Sequence, residues 1–249
     1  MRLLKSLAPQ EPRRGLAIDE VLLNSTRETH EDLMRLWIND RVVVVGRSQA
    51  VQDEVDLAFA AEQGIPVLRR ISGGGTVYHY DGNLNITVAL HDGRRIGSVH
   101  EVFRFFGRAI ATALVGLCPA VRFDANDLLV DEAKLGGAAQ ARRGNAVLYH
   151  TTVLVWPPQI AMDWLLLAMG PEYHPQRVAS RPRTTRSLRE ATEAGDSLAM
   201  ETIADLITVS ITDALGSAPT VSRLTDEEER RANTLAETKY GDDAWNRSI

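Results

Sequence analysis

The sequence is poor in cysteine, in long apolar runs and in excess positive charge. One of its 249 residues is cysteine, which excludes an internal disulfide and a zinc site built on several cysteines. No run of about 18 apolar residues occurs, the length that a transmembrane helix needs, so we expect no membrane partner. Lys and Arg number 28 against 33 Asp and Glu, a formal net charge of −5. Because general nucleic-acid binding depends on a basic face, we expect no nucleic-acid partner either.

What is present is the composition of a globular protein. Hydrophobic residues make up 44% and charged residues 24%, and a chain of this length can bury enough surface to fold without disulfides or metal. The N-terminal segment has a basic tip, but Lys5 and Pro9 interrupt its apolar run, which is too short for a secretory signal. We therefore expect a single domain over residues 1–249, located in the cytoplasm.

Strand patterns occupy much of the first two thirds of the chain. Leu33 to Ile38 and Val42 to Val45 are apolar runs separated by Asn39-Asp40, a pattern typical of a β-hairpin. Further strands are predicted at Val67 to Arg70, Asn83 to Leu90, Leu128 to Val130, Leu135 to Ala141 and Ala146 to Trp156.

Helices are indicated by capping residues followed by apolar residues at helical spacing. Ser98 and Glu101 form a capping box before the clearest helix, and Thr225 begins another with the same spacing. A third helix ends at Gly216, and a shorter one runs from Asp53 to a glycine at position 64. Because strands and helices come in runs and do not alternate, we predict an α+β fold with a mixed or antiparallel sheet flanked by helices.

The string Arg69 to His79 contains three consecutive glycines after a predicted strand. Their free amide groups can form an anion-binding nest, and Arg70 could add a charge-assisted contact to phosphate or carboxylate. The string is neither a P-loop nor a dinucleotide-binding fingerprint. The alternative is a glycine-rich hairpin turn with two solvated arginines.

Two further segments could supply charge to a site. Lys134 is followed by Gly136-Gly137, so it could present a mobile ammonium to an anionic reaction centre, although a solvated surface lysine is the ordinary case. Asn126-Asp127 could bind a polar group or form a turn. The segment Arg177 to Arg189 holds five arginines and no acid, and it could meet an acidic partner, a phosphate or only solvent.

Histidine and cysteine give no metal signature. The six histidines are scattered without HExxH spacing, so no metal site is predicted. His79 and His150 could border a pocket or be structural. Cys118 ends an apolar helix, a setting that predicts a buried and inert thiol.

Taken together, several strings resemble the lipoate–protein ligase family, which is related to biotin ligases and octanoyl transferases. Weaker similarity begins at Leu16 to Glu20 and ends at Leu235 to Trp245, so nearly the whole chain is covered. The strings that carry the resemblance are GRSQ (Gly46 to Gln49), RRISGGGTVYH (Arg69 to His79), GNLN (Gly82 to Asn85), NDLLV (Asn126 to Val130), KLGGAAQ (Lys134 to Gln140) and YHTTVLV (Tyr149 to Val155).

The resemblance implies a biotin/lipoate ligase-like, class II synthetase-like catalytic domain and a reaction in two halves. ATP, with Mg²⁺ on its phosphates, and lipoate would give lipoyl-AMP, and a lysine of an acceptor lipoyl domain would then take the lipoyl group. It implies that Lys134 is the catalytic residue, contacting the lipoyl carboxylate and the α-phosphate. The residues expected to bind the nucleotide, the adenylate or lipoate are Arg70, Ser72, Gly73, Gly74, Gly75, Thr76, Val77, Tyr78, His79, Asn83, Asn126, Asp127 and His150.

The sequence departs from the family pattern in three places. Tyr80-Asp81 stand where the family has Asp first, and Thr151 replaces the glycine of His-Gly-Thr. The chain also ends at Ile249, where longer members continue into a small C-terminal domain that assists activation. We expect a separate accessory subunit, activation without it, or use of preformed adenylate.

Two other functions stay open at this stage. An octanoyl or lipoyl transferase of the same fold would need an accessible thiolate, and the chain offers only Cys118. A non-catalytic paralogue that binds lipoyl domains is compatible with the changes at Tyr80 and Thr151, whereas the retained Arg70, glycines and Lys134 argue against it.

Overall fold

The structure, a computed structural model, describes residues 1–193 and 195–248. The strands are β1 (Arg2–Gln10), β2 (Leu33–Asn39), β3 (Val42–Val45), β4 (Val67–Arg69), β5 (Val77–His79), β6 (Asn83–Leu90), β7 (Val121–Asp124), β8 (Asp127–Val130), β9 (Ala133–Arg143), β10 (Ala146–Leu154) and β11 (Thr220–Val221). They form an eight-stranded mixed sheet in the order β11-β1-β2-β6-β10-β9-β8-β7, beside a three-stranded sheet in the order β4-β3-β5.

Helices cover both faces of the large sheet. They are α1 (Pro12–Thr29), α2 (Val51–Glu54), α3 (Leu57–Glu62), α4 (Val99–Val115), α5 (Met162–Leu165), α6 (Leu188–Ala191), α7 (Met200–Leu215), α8 (Asp226–Thr238) and α9 (Asp243–Asn246). Apolar residues of α4 and α7 share one core cluster with the sheet, and residues of α1 and α8 share another. In consequence β2 and β6 are buried at every position. The mixed sheet with flanking helices confirms the α+β prediction.

Local capping signals give the helix boundaries that the sequence predicts. The capping boxes at Ser98 and Thr225 are both formed, and Gly216 adopts the left-handed conformation (φ 60°) after α7. Among the described residues, no helix is both long and apolar enough to span a membrane.

Two predictions about local structure are wrong. β2 and β3 do not form a hairpin: β2 pairs with β1 and β6, whereas β3 joins β4 and β5 in the small sheet. The helix expected after Asp53 is broken into α2 and α3, because Val55 leaves helical geometry and forms an isolated bridge with Leu166. In both cases long-range pairing overrides the local pattern.

Helix α1 packs closely against β2, and this contact matters for the site. A Cβ on Gly15 would lie 2.6 Å from ring atoms of Trp37 and from the Asn39 side chain. Glycine at this position therefore lets the helix approach the sheet. The approach brings Asp19 of α1 within 2.6 Å of Arg35 on β2.

Candidate functional site

A cavity of about 420 Å³ lies between the small sheet and the large sheet. The glycine-rich loop after β4 and the strand β5 form one wall, while β6, β9 and β10 form another. Residues 178–183 and 185, which lie outside regular structure, close a third side. The volume is that of a typical small-molecule site.

The structure gathers most of the predicted site residues around this cavity. Ser72 and Gly73 are the exceptions among them, since they do not line it. The predicted residues that do line it are Arg70, Gly74, Gly75, Thr76, Val77, Tyr78, His79, Asn83, Asn126, Asp127, Lys134 and His150.

A β-bulge positions Lys134 at the cavity wall. In the β8–β9 pairing, Leu128 faces Gly136 while Leu129 faces Lys134, so β9 carries an extra residue at that point. The Lys134 ammonium lies 2.8 Å from Asp127 Oδ1, and the lysine side chain is 24% exposed. Its backbone amide donates to the carbonyl of Thr184 at 2.7 Å. The lysine is therefore anchored at both ends and is not a free surface side chain.

Arg70 organises the glycine-rich loop from beneath. Its guanidinium donates to the carbonyls of Val44 (3.0 Å), Gly73 (2.6 Å) and Gly75 (2.7 Å) and to Ser72 Oγ (3.0 Å). Burial lowers its pKa to about 10, so it stays cationic at neutral pH. The neighbouring Arg69 faces another way, donating to the carbonyls of residues 46, 47 and 49.

The loop approaches its neighbours too closely for side chains at two positions. A Cβ on Gly46 would lie 2.0 Å from the carbonyl oxygen of Gly74, and a Cβ on Gly75 would lie 2.9 Å from Ser180 Oγ. Gly74 itself has φ 85°, which favours glycine. The glycine string is therefore a packed loop against two other segments and not a solvated hairpin turn.

A buried polar cluster fastens the 173–183 segment to the glycine-rich loop. Ser180 Oγ accepts from the Thr76 amide (2.9 Å) and from Gln49 Nε2 (3.0 Å), and it donates to Glu54 Oε2 (2.5 Å). Tyr173 donates to the other Glu54 oxygen. Burial and this bond raise the pKa of Tyr173 to about 12, so it remains a donor at neutral pH.

The arginine-rich segment contributes two residues to the cavity. Arg181 and Arg183 line it, and Arg183 Nε lies 3.8 Å from Asp127 Oδ2. Arg186 instead pairs with Asp131 at 3.0 Å. Of the alternatives that the sequence left open for this segment, the structure favours a contribution to the site.

The two histidines singled out in the sequence both lie in the cavity wall. Burial, with the nearby charge of Arg70, lowers the pKa of His79 to about 3, so this imidazole is neutral at physiological pH. His150 Nε2 lies 2.6 Å from Ser72 Oγ, and its Nδ1 lies 3.2 Å from Asp19 Oδ2. Thr151, one of the departures from the family pattern, donates to the carbonyl of Gly137 at 3.1 Å.

Apolar side chains form a large part of the lining. Of the strand Val42–Val45, Val44 reaches the cavity. The segment Met162–Met169 supplies Met162, Leu166, Ala168 and Met169 to the lining. The apolar lining residues outside the glycine-rich loop include Leu16, Trp37, Val44, Leu154, Met162, Leu166, Ala168 and Met169.

The charge of the lining is mainly positive. In the described part of the chain, its cations are Arg70, Lys134, Arg181 and Arg183, and its one acid is Asp127. No group of three or more His, Cys, Asp or Glu residues that could hold a metal ion occurs among the described residues. The arrangement suits a ligand with several negative charges and an apolar portion.

Sequence reasoning did not select three residues that organise the site: Asp19, Gln49 and Ser180. Signals for two of them were present. Gln49 lies in the GRSQ string, and Asp19 is a charged residue within the apolar stretch Leu16 to Leu23. Ser180 carries no local signal, since its importance comes from contacts with residues far away in the chain.

Comparison with known proteins identifies related sequences. Residues 11–212 match the family model described as the lipoyl protein ligase A/B catalytic domain. A protein of Aeropyrum pernix described as a lipoate-protein ligase A is 32% identical over 231 residues, which cover 92% of this chain and 86% of that protein. Lipoate-protein ligase A subunit 1 of Thermoplasma acidophilum is 27% identical over 270 residues, covering 100% and 97% of the two chains.

Solved structures that resemble this chain are also lipoate protein ligases by description. A T. acidophilum ligase structure with bound lipoic acid superimposes with a TM-score of 0.82 at 26% identity, covering 99% of this chain and 98% of that one. A bi-partite lipoate protein ligase, described with its E2 lipoyl domain from the same organism, has a TM-score of 0.82 at 25% identity (99% and 96%). A lipoate-protein ligase A bound with ATP has a TM-score of 0.79 at 27% identity (99% and 98%).

Proposed function

The chain belongs to the lipoyl protein ligase A/B catalytic-domain family, and on that premise we propose that it is an ATP-dependent lipoate–protein ligase. In the first half-reaction, a lipoate carboxylate oxygen attacks the α-phosphorus of ATP and pyrophosphate leaves. In the second, the ε-amine of a lysine on a lipoyl domain attacks the carbonyl carbon of lipoyl-AMP. An amide forms, AMP leaves with the former carboxylate oxygen, and the amine nitrogen releases one of its two protons to solvent.

The observation that carries this proposal is the position of Lys134. Its ammonium faces the same cavity as the glycine-rich loop Gly74 to Val77 and as the apolar segment Met162–Met169. A carboxylate and a phosphate repel each other, and a fixed ammonium between them lowers that repulsion and stabilises the charge that develops on phosphorus. The same ammonium can polarise the carbonyl during transfer to the acceptor lysine.

The remaining lining fits the two substrates. Backbone amides of the glycine-rich loop, together with Arg181 and Arg183, offer donors and positive charge to the phosphates of ATP. Trp37, Val44 and the Met162–Met169 segment offer an apolar wall to the aliphatic tail of lipoate. The support from relatives is that similar proteins have been solved with lipoic acid and with ATP.

Mg²⁺ would enter with the ATP phosphates. This ion is usually held by one or two carboxylates together with substrate phosphates, so it needs no cluster of protein ligands. In the described lining, the side-chain oxygens of Asp127 and the neighbouring Asn126 could serve as ligands for such an ion. When bound, the ion would neutralise charge on the phosphates.

The partners are proposed from the relatives. The T. acidophilum relative is named as a subunit, and a similar structure is described as bi-partite and with an E2 lipoyl domain. We propose that residues 1–249 are one catalytic domain, that a lipoyl domain is its acceptor, and that a separate accessory subunit assists activation.

Intact mass of an apo lipoyl domain tests the proposal. The domain is incubated with the protein, lipoate, ATP and Mg²⁺, and in a parallel series with synthetic lipoyl-AMP. Lys134→Ala is compared with Lys5→Ala, which removes a lysine whose ion pairs with Glu201 and Asp205 lie on the surface. We expect wild type and Lys5→Ala to add the lipoyl mass and Lys134→Ala to add it at least about 100-fold more slowly.

Two other outcomes are informative. Addition from lipoyl-AMP but not from ATP would show that activation requires the accessory subunit. No addition from either donor, with several apo lipoyl domains as acceptors, would contradict the ligase function and would leave the binding paralogue as the better description.

A further inference from the structure

A chain of hydrogen bonds runs behind the glycine-rich loop, with His150 in the cavity wall and Ser72 and Asp19 outside the lining. Ser72 Oγ lies 2.6 Å from His150 Nε2, and His150 Nδ1 lies 3.2 Å from Asp19 Oδ2. The three residues come from the loop after β4, from β10 and from α1, so the fold brings them together over long sequence distances. Their order, serine to histidine to aspartate, is that of a hydrolytic triad.

Burial argues that Ser72 is not a nucleophile. Its exposure is 1%, and it is absent from the cavity lining. Its oxygen also accepts a hydrogen bond from Arg70 Nε at 3.0 Å, which occupies a lone pair on the atom that would have to attack. A nucleophile must reach the acyl carbon, so this chain serves another purpose.

Asp19 is held by donors on several sides. Arg35 Nη1 donates to Oδ1 at 2.6 Å, and the Thr87 hydroxyl lies 3.0 and 3.1 Å from the two carboxylate oxygens. Burial alone would raise the pKa of Asp19, but the hydrogen bond from His150 and the charge of Arg35 outweigh it and hold the pKa below its usual value. The carboxylate is therefore ionised and can only accept hydrogen bonds.

The ionised carboxylate fixes the direction of every bond in the chain. His150 must carry a proton on Nδ1 to donate to Asp19, and in a neutral imidazole Nε2 is then an acceptor. Ser72 consequently donates its hydroxyl proton to Nε2 and accepts from Arg70. The Ser72 oxygen is thereby a fixed acceptor for the same guanidinium that holds the carbonyls of Gly73 and Gly75.

We propose that Asp19 is a positioning residue of this site, which acts by fixing the tautomer of His150. His150 then orients Ser72, and Ser72 holds the Arg70 guanidinium and the glycine-rich loop in the arrangement that lines the cavity. The proposal rests on the proposed function only where activity is the readout.

The variant Asp19→Asn separates this role from mere burial of a carboxylate. The side-chain oxygen of Asn stays toward the Arg35 guanidinium, so its amide group faces His150. His150 Nδ1 must then accept, the proton moves to Nε2, and Ser72 meets two donors and has no acceptor for its own proton. The matched control is Glu20→Gln, a buried carboxylate on the same helix that accepts from Arg143, Lys239 and Tyr240 and contacts none of the loop.

The tautomer is measured directly by ¹⁵N NMR of the histidines in the full-length protein, with His150 assigned by comparison with His150→Gln. We expect a protonated Nδ1 in wild type and in Glu20→Gln, and a protonated Nε2 in Asp19→Asn. A protonated Nε2 in folded wild type overturns the proposal, whatever reaction the protein catalyses.

A double-mutant cycle measures whether Asp19 acts through Ser72. Lipoate-dependent ATP–pyrophosphate exchange is followed for Asp19→Asn, Ser72→Ala and the double variant, each checked for folding by its melting temperature. We expect a loss of about 10- to 100-fold in kcat/KM for each single variant, the range found when an outer partner of a working group is removed. The kcat/KM of the double variant should be no more than about twofold below that of the less active single variant, because the two changes break the same chain of hydrogen bonds.

Other results of the cycle are decisive too. Additive losses, or an equal loss in Glu20→Gln, overturn the positioning role. If wild type with lipoate shows no exchange, this chain does not activate lipoate without the accessory subunit, and the tautomer measurement alone then decides the role of Asp19.

Discussion

The ammonium nitrogen of Lys134 lies 2.8 Å from a carboxylate oxygen of Asp127, and the lysine side chain reaches it by passing over Gly137. A Cβ on Gly137 would lie 2.8 Å from both Cε and Nζ of the lysine. The second glycine after the lysine is thus required for space above the strand and not for a turn. The first, Gly136, faces the neighbouring strand, where a Cβ would lie 1.9 Å from the backbone oxygen of Thr152.

Substitution of the two glycines by alanine should therefore have different effects. Gly137→Ala displaces the flexible end of Lys134, and we expect adenylate formation to fall about 10- to 100-fold, because small misplacements of a reacting group carry such costs. The free energy of unfolding should stay within about 0.5 kcal/mol of wild type. Gly136→Ala forces two backbones apart and should cost about 2 kcal/mol or more. Pyrophosphate exchange and urea unfolding measure the two effects, and a fully active Gly137→Ala would contradict the role given to Lys134.

Ser180 is predicted to hold the segment 173–183 closed over the cavity. Ser180→Ala removes contacts to Glu54, Gln49 and the Thr76 amide, and leaving such buried groups unpaired costs about 1–3 kcal/mol. The open form should become about tenfold more populated. Trypsin, which can cleave after the exposed Arg177, should cut the variant about tenfold faster.

The matched control for this loop is Ser210→Ala, which removes a hydroxyl that bonds the carbonyl of Ala109 between α7 and α4. It should be cut at the wild-type rate. Equal cutting rates in wild type and Ser180→Ala at limiting protease would show that Ser180 does not hold the segment.

Burial of neutral His79 predicts a loss of stability toward acid. Its pKa is about 3 in the folded protein against an ordinary 6.5, so below pH 6.5 the unfolded chain binds a proton that the folded protein refuses. The contribution of neutral His79 to the free energy of unfolding is therefore complete above pH 6.5. It is lost as the pH falls toward 3, by up to about 1.4 kcal/mol per pH unit. Urea unfolding between pH 7 and 5 avoids the range where carboxylates titrate.

His79→Gln should flatten that slope, since it removes the titrating group from the wall. The exposed His174→Gln serves as control and should keep the wild-type slope. Identical slopes in wild type and His79→Gln would mean that His79 takes up a proton in the folded protein at the same pH as in the unfolded chain.

The helix boundaries could be predicted from the sequence because capping interactions are local. A capping box such as Ser98 with Glu101 is satisfied within four residues, and Gly216 ends α7 because it can adopt positive φ. Strand pairing is a different kind of information. Val42 to Val45 fit a hairpin with β2 equally well by pattern, and the choice of β4 and β5 as partners depends on packing that no short window contains.

The same distinction applies to the site. Lys134 and the glycine-rich loop stand in compact strings, and the structure places them around one cavity. Asp19 and Ser180 act through partners more than 100 residues away, His150 and Thr76 respectively. A polar residue that is important only through such contacts has no signature until the fold is known.

The position of Cys118 separates the proposed ligase from a thioester-forming transferase. Its thiol is 3% exposed, lies 3.7 Å from the carbonyl of Ala191 and does not line the cavity, so it confirms the predicted buried thiol. Cys118→Ser should transfer the lipoyl group within about twofold of the wild-type rate, at a cost of about 1–3 kcal/mol for a buried hydroxyl. Intact mass of both the acceptor and the enzyme provides the readout. A folded Cys118→Ser without transfer, together with a hydroxylamine-labile acyl adduct on wild type, would instead establish the transferase, because an acyl-thioester intermediate requires that thiolate.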